Sequence, residues 1–293
     1  MAFTKFADLR LSEEIFPYAR CLSDLQNLQL DYQSASPFPH IVLDQFLNQD
    51  VLEKAVSEFP SVDSGKWVHY AHVNEKKYGK TDSSQFGPTL KRIVDELNSP
   101  QFVSFLSELT GIQGLFADPS LEGGGLHQSK RGGYLNIHAD FTVHPHHRTW
   151  RRRVNVLVYL NHNWQEAYGG HLELWDKKMK ACEKKVLPVF NRSVIFNTDF
   201  DSFHGHPEPL TCPESFTRKS LAFYYFTEEK EKPLIRSTEY RARPKDGIKG
   251  VWVYLDKMVL RIYDRIKRTL KLNDDFASSV LSKLSRLFHR TKD

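Results

Sequence analysis

His138 and Asp140 stand two residues apart in the run Gly-Gly-Tyr-Leu-Asn-Ile-His-Ala-Asp-Phe, and His204 follows in Ser-Phe-His-Gly-His-Pro, ahead of Arg218 and Ser220. Two imidazoles and one carboxylate can occupy one face of a six-coordinate Fe(II), leaving the opposite face for a chelating cosubstrate and O2. Neutral imidazole binds Fe(II) at neutral pH, and a single carboxylate lowers the site's charge without filling the coordination sphere. The residue types therefore point to an oxygen-activating, non-haem iron enzyme. Position 140 carries Asp and not Ala or Gly, so no place opens for halide, and hydroxylation is expected rather than halogenation. His206 competes with His204 for the third ligand position.

Strand alternation would position these groups. Residues two apart in a strand share a face, so Tyr134, Asn136, His138 and Asp140 should point together, with Leu135 and Ile137 behind them. From 153 to 160, Val154, Val156, Val158 and Leu160 form one face, and Arg153, Asn155, Leu157 and Tyr159 the other. From 218 to 226, Arg218, Ser220, Ala222 and Tyr224 oppose Lys219, Leu221, Phe223 and Tyr225. Three strands with a partly polar face are expected of a barrel enclosing a polar ligand.

The segment from about Pro37 to Glu228 resembles the Fe(II)- and 2-oxoglutarate-dependent dioxygenases of the prolyl 4-hydroxylase-like superfamily. The resemblance rests on seven pieces in order: Pro-Phe-Pro-His-Ile-Val-Leu at 37–43, Gly-Gly-Gly-Leu-His at 123–127, the run at 132–141, Val-Tyr-Leu-Asn at 158–161, Gly-Gly-His-Leu-Glu-Leu-Trp at 169–175, Phe-His-Gly-His-Pro at 203–207, and Arg-Lys-Ser-Leu-Ala-Phe-Tyr-Tyr at 218–225. It implies a mainly β fold with flanking helices, built on a double-stranded β-helix, or jelly roll, with iron at its open end. By the same resemblance His138, Asp140 and His204 are the metal ligands. Arg218 pairs with the far carboxylate of 2-oxoglutarate, which suits a planar guanidinium fork. Tyr159 hydrogen-bonds that carboxylate, and Ser220 is a third contact from the Arg-X-Ser pattern. Tyr159 and Tyr224 also read as core aromatics, and Tyr134 and Asn136 as pocket walls. The spacing from His204 to Arg218 is longer than in some relatives, and Cys212 and Pro213 suggest an enlarged loop.

The implied reaction hydroxylates an unactivated C–H bond with release of succinate and CO2, using Fe(II), 2-oxoglutarate and O2, with ascorbate as an accessory reductant. A prolyl residue is the first choice of substrate. The same chemistry on an amino acid, sugar, lipid or natural product is one alternative, and a catalytically idle jelly-roll scaffold is another.

The rest of the chain bounds this reading. At 293 residues and 40% hydrophobic content it suits one catalytic domain with appendages. Cys21, Cys182 and Cys212 have no paired spacing, which disfavours a disulfide framework or a zinc site. The first twenty residues show no apolar signal-peptide core, and no apolar run approaches bilayer length. A soluble, cytoplasmic protein is therefore expected. Residues 1–240 should form the dioxygenase domain, its β-helix core about 121–228, with helices over 50–59 and 88–110 packed outside it.

A basic extension, 241–293, should follow. It holds 14 Lys and Arg against 6 Asp and Glu, a net of +8, while the whole chain is +5, so the first 240 residues sum to −3. Apolar residues at helical spacing run through 250–272, and Asn273 and Asp274 can cap a second helix. Such a stripe fits packing on the barrel or in a homo-oligomer, and next to that, peripheral contact with an anionic membrane. Nucleic acid is not expected, since no recognition motif accompanies the charge. The run His144, His146, His147, Arg148 and Arg151 to Arg153 reads as a solvated edge or as a rim for an anionic substrate.

Overall fold

The computed structural model describes residues 14–247 except 65 and 232, together with Gly250 and Val253. Two helices open it, α1 (Tyr18–Ser23) and α2 (Leu25–Ser34), followed by β1 (His40–Leu43) and α3 (Gln49–Ser57). The Asn48 side chain caps α3 by accepting from the Val51 N–H at 3.2 Å, which satisfies one of the donors a helix start leaves open. A hairpin of β2 (Val68–His72) and β3 (Glu75–Lys80) then leads to α4 (Pro88–Leu97) and α5 (Pro100–Thr110).

The single helix expected over 88–110 is thus two. Pro100 cannot continue α4 because it lacks an N–H and clashes with the preceding turn. It sits instead at the start of α5, where Ser99 caps by accepting from the Phe102 N–H at 3.2 Å. Gly111 ends α5 at φ 74°, in the left-handed region that glycine enters without a Cβ clash.

The strands that follow are β4 (Leu115–Ala117), β5 (Gly125–Ser129), β6 (Tyr134–Ala139), β7 (Trp150–Tyr159), β8 (Leu172–Trp175), β9 (Cys182–Val186), β10 (Ser193–Asn197), β11 (His204–His206), β12 (Arg218–Glu228) and β13 (Glu239–Tyr240). Their hydrogen-bonded order is β1-β10-β7-β12-β5-β3-β6-β11-β8-β9, with β2 on β3, β4 on β12 and β13 on β6. β3 joins the halves: Tyr78 to Lys80 pair with β5, while Glu75 and Lys76 pair with β6. The antiparallel strands make a nearly closed jelly roll, as the sequence led one to expect.

The alternating pattern sorts two cores. Val154, Val156, Val158, Leu221, Phe223 and Tyr225 lie in the cluster shared with α3, α4 and α5. The Tyr225 hydroxyl donates to the Leu97 carbonyl at 2.6 Å, tying β12 to α4. On the other face, Tyr159, Leu172, Leu174, Val194 and Phe196 line the barrel interior with Phe38. The helices thus cover the larger sheet from outside and stiffen the strands that carry Tyr159 and Arg218.

Among the described residues, no helix is long and apolar enough to cross a membrane. The helices expected beyond 250 lie outside the described residues, apart from Gly250 and Val253, both helical.

Candidate metal centre and cosubstrate pocket

Antiparallel pairing of β6 with β11 sets His204 opposite His138, and Asp140 follows β6 directly. Gly205 permits this closeness, since a Cβ there would come within 2.7 Å of the Leu135 carbonyl oxygen and 2.8 Å of that of Asn136. The ligand atoms of His138, Asp140 and His204 all lie within 4.8 Å of one another. Nε2 of His138 is 3.6 Å from Oδ1 of Asp140, and Nε2 of His204 is 3.5 Å from Oδ2. Each Nδ1 lies 2.9 Å from a carbonyl oxygen, of Asn136 for His138 and of Ser202 for His204. A carbonyl only accepts, so each Nδ1 carries the proton and each Nε2 lone pair is free to bind metal. Two oriented imidazole nitrogens and one carboxylate fit Fe(II) as a facial set. His206 is not part of this cluster.

Burial lowers the pKa of His204 to about 4 against the pull of Asp140, which keeps it neutral at physiological pH. Burial alone would raise the Asp140 carboxyl. Arg152, then His204 and His138, override that and hold it well below the usual carboxylate range.

Arg152 was not singled out by alternation. Its Nη2 lies 2.9 Å from Oδ2 of Asp140, and the same oxygen accepts from Nδ2 of Asn155 at 2.8 Å. Arg152 also donates from Nε and Nη2 to Oδ1 of Asn155, at 2.9 and 2.8 Å, and its guanidinium carbon lies 3.4 Å from the centre of the Tyr224 ring. Strict alternation would put Arg153, not Arg152, beside Asn155. A bulge decides otherwise: Tyr225 pairs with Val154 but Phe226 with Arg152, so Arg153 is the extra residue and Arg152 turns inward. His144 also departs from a solvated edge. It is buried, its Nδ1 accepting the His146 and His147 N–H groups at 3.2 Å each.

Deeper in the barrel, Arg218 donates from Nε to the Gly170 carbonyl at 2.8 Å and from Nη2 to the Tyr159 hydroxyl at 3.4 Å. Gly170 has φ 73°, and a Cβ there would lie 3.0 Å from Cδ of Arg218 and 2.6 Å from Cδ2 of Leu210, so glycine at this position leaves room for the arginine. No described carboxylate pairs with Arg218, although the residue is 7% exposed. An isolated buried guanidinium is costly, and this one fits a carboxylate brought by a ligand. Ser220 pairs with Tyr159 across the β12 and β7 ladder, on the same face as Arg218. Tyr224 donates to the Gly123 carbonyl at 2.8 Å, so its hydroxyl is already satisfied. Tyr134 and Asn136 hydrogen-bond residues 72–74 and serve as wall.

Further interior groups were not foreseen. Glu75 bridges Nε2 of His72 at 2.9 Å and Nζ of Lys77 at 3.1 Å. Burial would raise its carboxyl, but Lys77 and His72 hold it well below the usual range. His127 on β5 is pushed down to about 3 by burial and by Lys77. Charged residues in short strands give no pattern to mark them as interior.

Residues 124–226 match the family model of the 2OG-Fe(II) oxygenase superfamily. Over that segment the chain is similar to members of that superfamily. The match contains His138, Asp140, Tyr159, His204, Arg218 and Ser220. Among curated proteins, the chain is 24% identical over 202 residues to the prolyl 3-hydroxylase OGFOD1 of Mus musculus, covering 67% of the chain and 34% of the relative. It is 24% identical over 228 residues to the prolyl 3,4-dihydroxylase OGFOD1 of Ostreococcus tauri, covering 70% and 41%. The chain therefore spans well under half the length of these relatives. Among solved structures, a prolyl hydroxylase from Trichoplax adhaerens, in complex with a hypoxia inducible factor oxygen degradation domain peptide fragment, shares the fold. It has a TM-score of 0.50 and 16% identity, over 71% of this chain and 92% of that one.

Proposed function

We propose that this chain is an Fe(II)- and 2-oxoglutarate-dependent dioxygenase of the 2OG-Fe(II) oxygenase superfamily that hydroxylates a prolyl residue in a protein or peptide. The observation that carries the reading is the convergence of His138, Asp140 and His204 on one point, with a buried Arg218, paired with no carboxylate among the described residues, deeper in the same interior. The relatives are prolyl hydroxylases by name, which supports the choice of substrate. Bound iron and cosubstrate supply O2 activation, with succinate and CO2 as coproducts.

The chain's own residues do the rest. His138, Asp140 and His204 present three donors, while Arg152 and Asn155 fix the carboxylate. Arg218, Tyr159 and Ser220 receive the distal carboxylate, so the keto acid is held with its other end toward the metal ligands. Phe196, Leu172 and Leu174 form an apolar wall that limits water. Ascorbate is an accessory reductant in this reading.

A free amino acid, sugar, lipid or natural product would use the same machinery. An idle scaffold is disfavoured, because it has no need for an intact triad together with Arg218. The cytoplasm is the expected compartment, and the basic, apolar-striped tail supports packing on the barrel or on a second copy before membrane contact. Anaerobic addition of Fe(II) and 2-oxoglutarate should give a weak visible charge-transfer band, and prolyl peptides should stimulate succinate release. No band with the metal bound would sink the assignment.

A further inference from the structure

We propose that His206 positions the cosubstrate, its imidazole N–H hydrogen-bonding a carboxylate of bound 2-oxoglutarate between the metal ligands and Arg218. This rests on the reading of the site given above. It assigns to His206 a role distinct from the metal ligation for which it competes with His204 in the sequence.

The placement carries the argument. His206 lies on β11 two residues beyond His204, past a register shift that sets it opposite Leu135 of β6, and it is buried. β11 runs antiparallel to β8, pairing His204 with Leu174 and Gly205 with Glu173. The next residue therefore moves away from the metal ligands, toward the end of β8 where the Gly170 carbonyl holds Arg218. The charged and titratable groups acting on the ring are Arg218, Lys77, His138 and Glu75, drawn from β12, β3 and β6. His206 thus stands over the path that a cosubstrate must span from the triad to Arg218.

Its bonding is incomplete. The residue is 5% exposed, yet among the described residues Nδ1 has no hydrogen-bond partner. Buried polar atoms are nearly always bonded, and an unmade bond costs the full desolvation of the group. The surrounding groups do not mend this. With the proton on Nδ1, Arg218 and Lys77 offer only donors and cannot pair with it, Nδ1 of His138 is committed to the Asn136 carbonyl, and Glu75 is engaged by His72 and Lys77. An N–H at Nδ1 accordingly has no acceptor among the described residues, and a ligand can supply one. Around it lie more cations than anions, which selects a carboxylate over a neutral acceptor.

The test uses the full chain with His206→Leu, which keeps bulk without a donor, and His206→Gln, which keeps a donor. Fe(II) affinity without cosubstrate should be unchanged in both. In anaerobic titrations of the charge-transfer band, His206→Leu should weaken 2-oxoglutarate binding by about tenfold or more, as expected for a lost hydrogen bond to a charged group. His206→Gln should recover most of that loss. In the unsubstituted protein loaded with Zn(II), the His206 imidazole nitrogen resonance should shift on adding 2-oxoglutarate, which reads the bond even if a variant fails to fold.

A band of wild-type affinity in His206→Leu, or an imidazole resonance that does not move, would overturn the proposal alone. Loss of Fe(II) binding in His206→Leu would also overturn it, by making His206 a ligand. Absence of the band in the unsubstituted protein would overturn the underlying reading first and this proposal with it.

Discussion

The guanidinium of Arg152 lies 2.9 Å from Oδ2 of Asp140, so the carboxylate of the proposed metal triad has a buried counter-ion within the protein. Both side chains are nearly inaccessible, at 1% and 11% exposure. Removing one partner of a buried pair leaves the other charge uncompensated, at a cost of about 3 kcal/mol or more. A divalent cation at the triad would compensate Asp140 by itself. Arg152→Met should therefore lower the stability of the metal-free protein by about that amount, and that of the metal-loaded protein much less. Thermal denaturation with and without Mn(II) measures the difference, and equal losses in both forms would show that Arg152 acts elsewhere.

The same pair marks how far the sequence could be read. His138, Asp140 and His204 were visible because their types and order are specific to one chemistry, and the faces of β7 and β12 because apolar residues alternate there. Arg152 was hidden by the bulge at Arg153, a register shift that the pattern Arg-Arg-Arg-Val does not encode. The break at Ser99 and Pro100 was legible in principle, since both are helix-start residues, yet the apolar periodicity runs through it. Glu75, Lys77 and His127 were not legible, because their interior position follows from β3 bridging two half-sheets, a long-range pairing with no local signal.

Loss of a ligand separates metal binding from folding. His138→Ala, Asp140→Ala and His204→Ala should each abolish 2-oxoglutarate turnover and Fe(II) binding while the circular dichroism spectrum stays native, because the β6 and β11 pairing does not depend on these side chains. His206→Ala should still bind Fe(II). Retained turnover in any of the three ligand variants would remove that residue from the centre.

Arg218 should govern the cosubstrate and not the metal. Arg218→Ala removes the charge expected to meet the distal carboxylate, and the loss should be about 3 kcal/mol, on the order of a hundredfold in 2-oxoglutarate affinity. Gly170→Ala should act in the same direction more mildly, since the added Cβ meets Cδ of Arg218. Calorimetric titration of 2-oxoglutarate into the metal-loaded variants tests both, and unchanged affinity in Arg218→Ala would refute the assignment.

Acid should destabilise the protein through His127. Burial and Lys77 depress its pKa from the ordinary 6.5 to about 3, so below 6.5 the unfolded chain takes up a proton that the folded one refuses. The stability this group contributes is present above about 6.5 and is lost as pH falls toward 3. His127→Gln does not titrate and should lose less stability over that window than the unsubstituted protein. Urea denaturation at pH 7 and at pH 4.5 gives the comparison, and parallel losses would place the acid sensitivity on other groups.

The segment after the barrel should support the metal strand. Glu239 and Tyr240 pair with Ala139 and His138, the Arg241 N–H donates to the Ile137 carbonyl at 2.8 Å, and the Tyr240 ring centre lies 5.4 Å from that of His138. Farther along, Nη1 of Arg243 meets Oε1 of Glu208 at 2.7 Å, which fastens the segment beside the β11 to β12 loop. These contacts satisfy an edge of β6 that would otherwise leave unpaired backbone groups next to the triad. A chain ending at Gly247 should therefore bind Fe(II) more tightly, and melt at a higher temperature, than one ending at Glu231. The two truncations differ by 232–247 alone, so equal Fe(II) affinities would show that β13 and its anchors have no part in holding His138 in place.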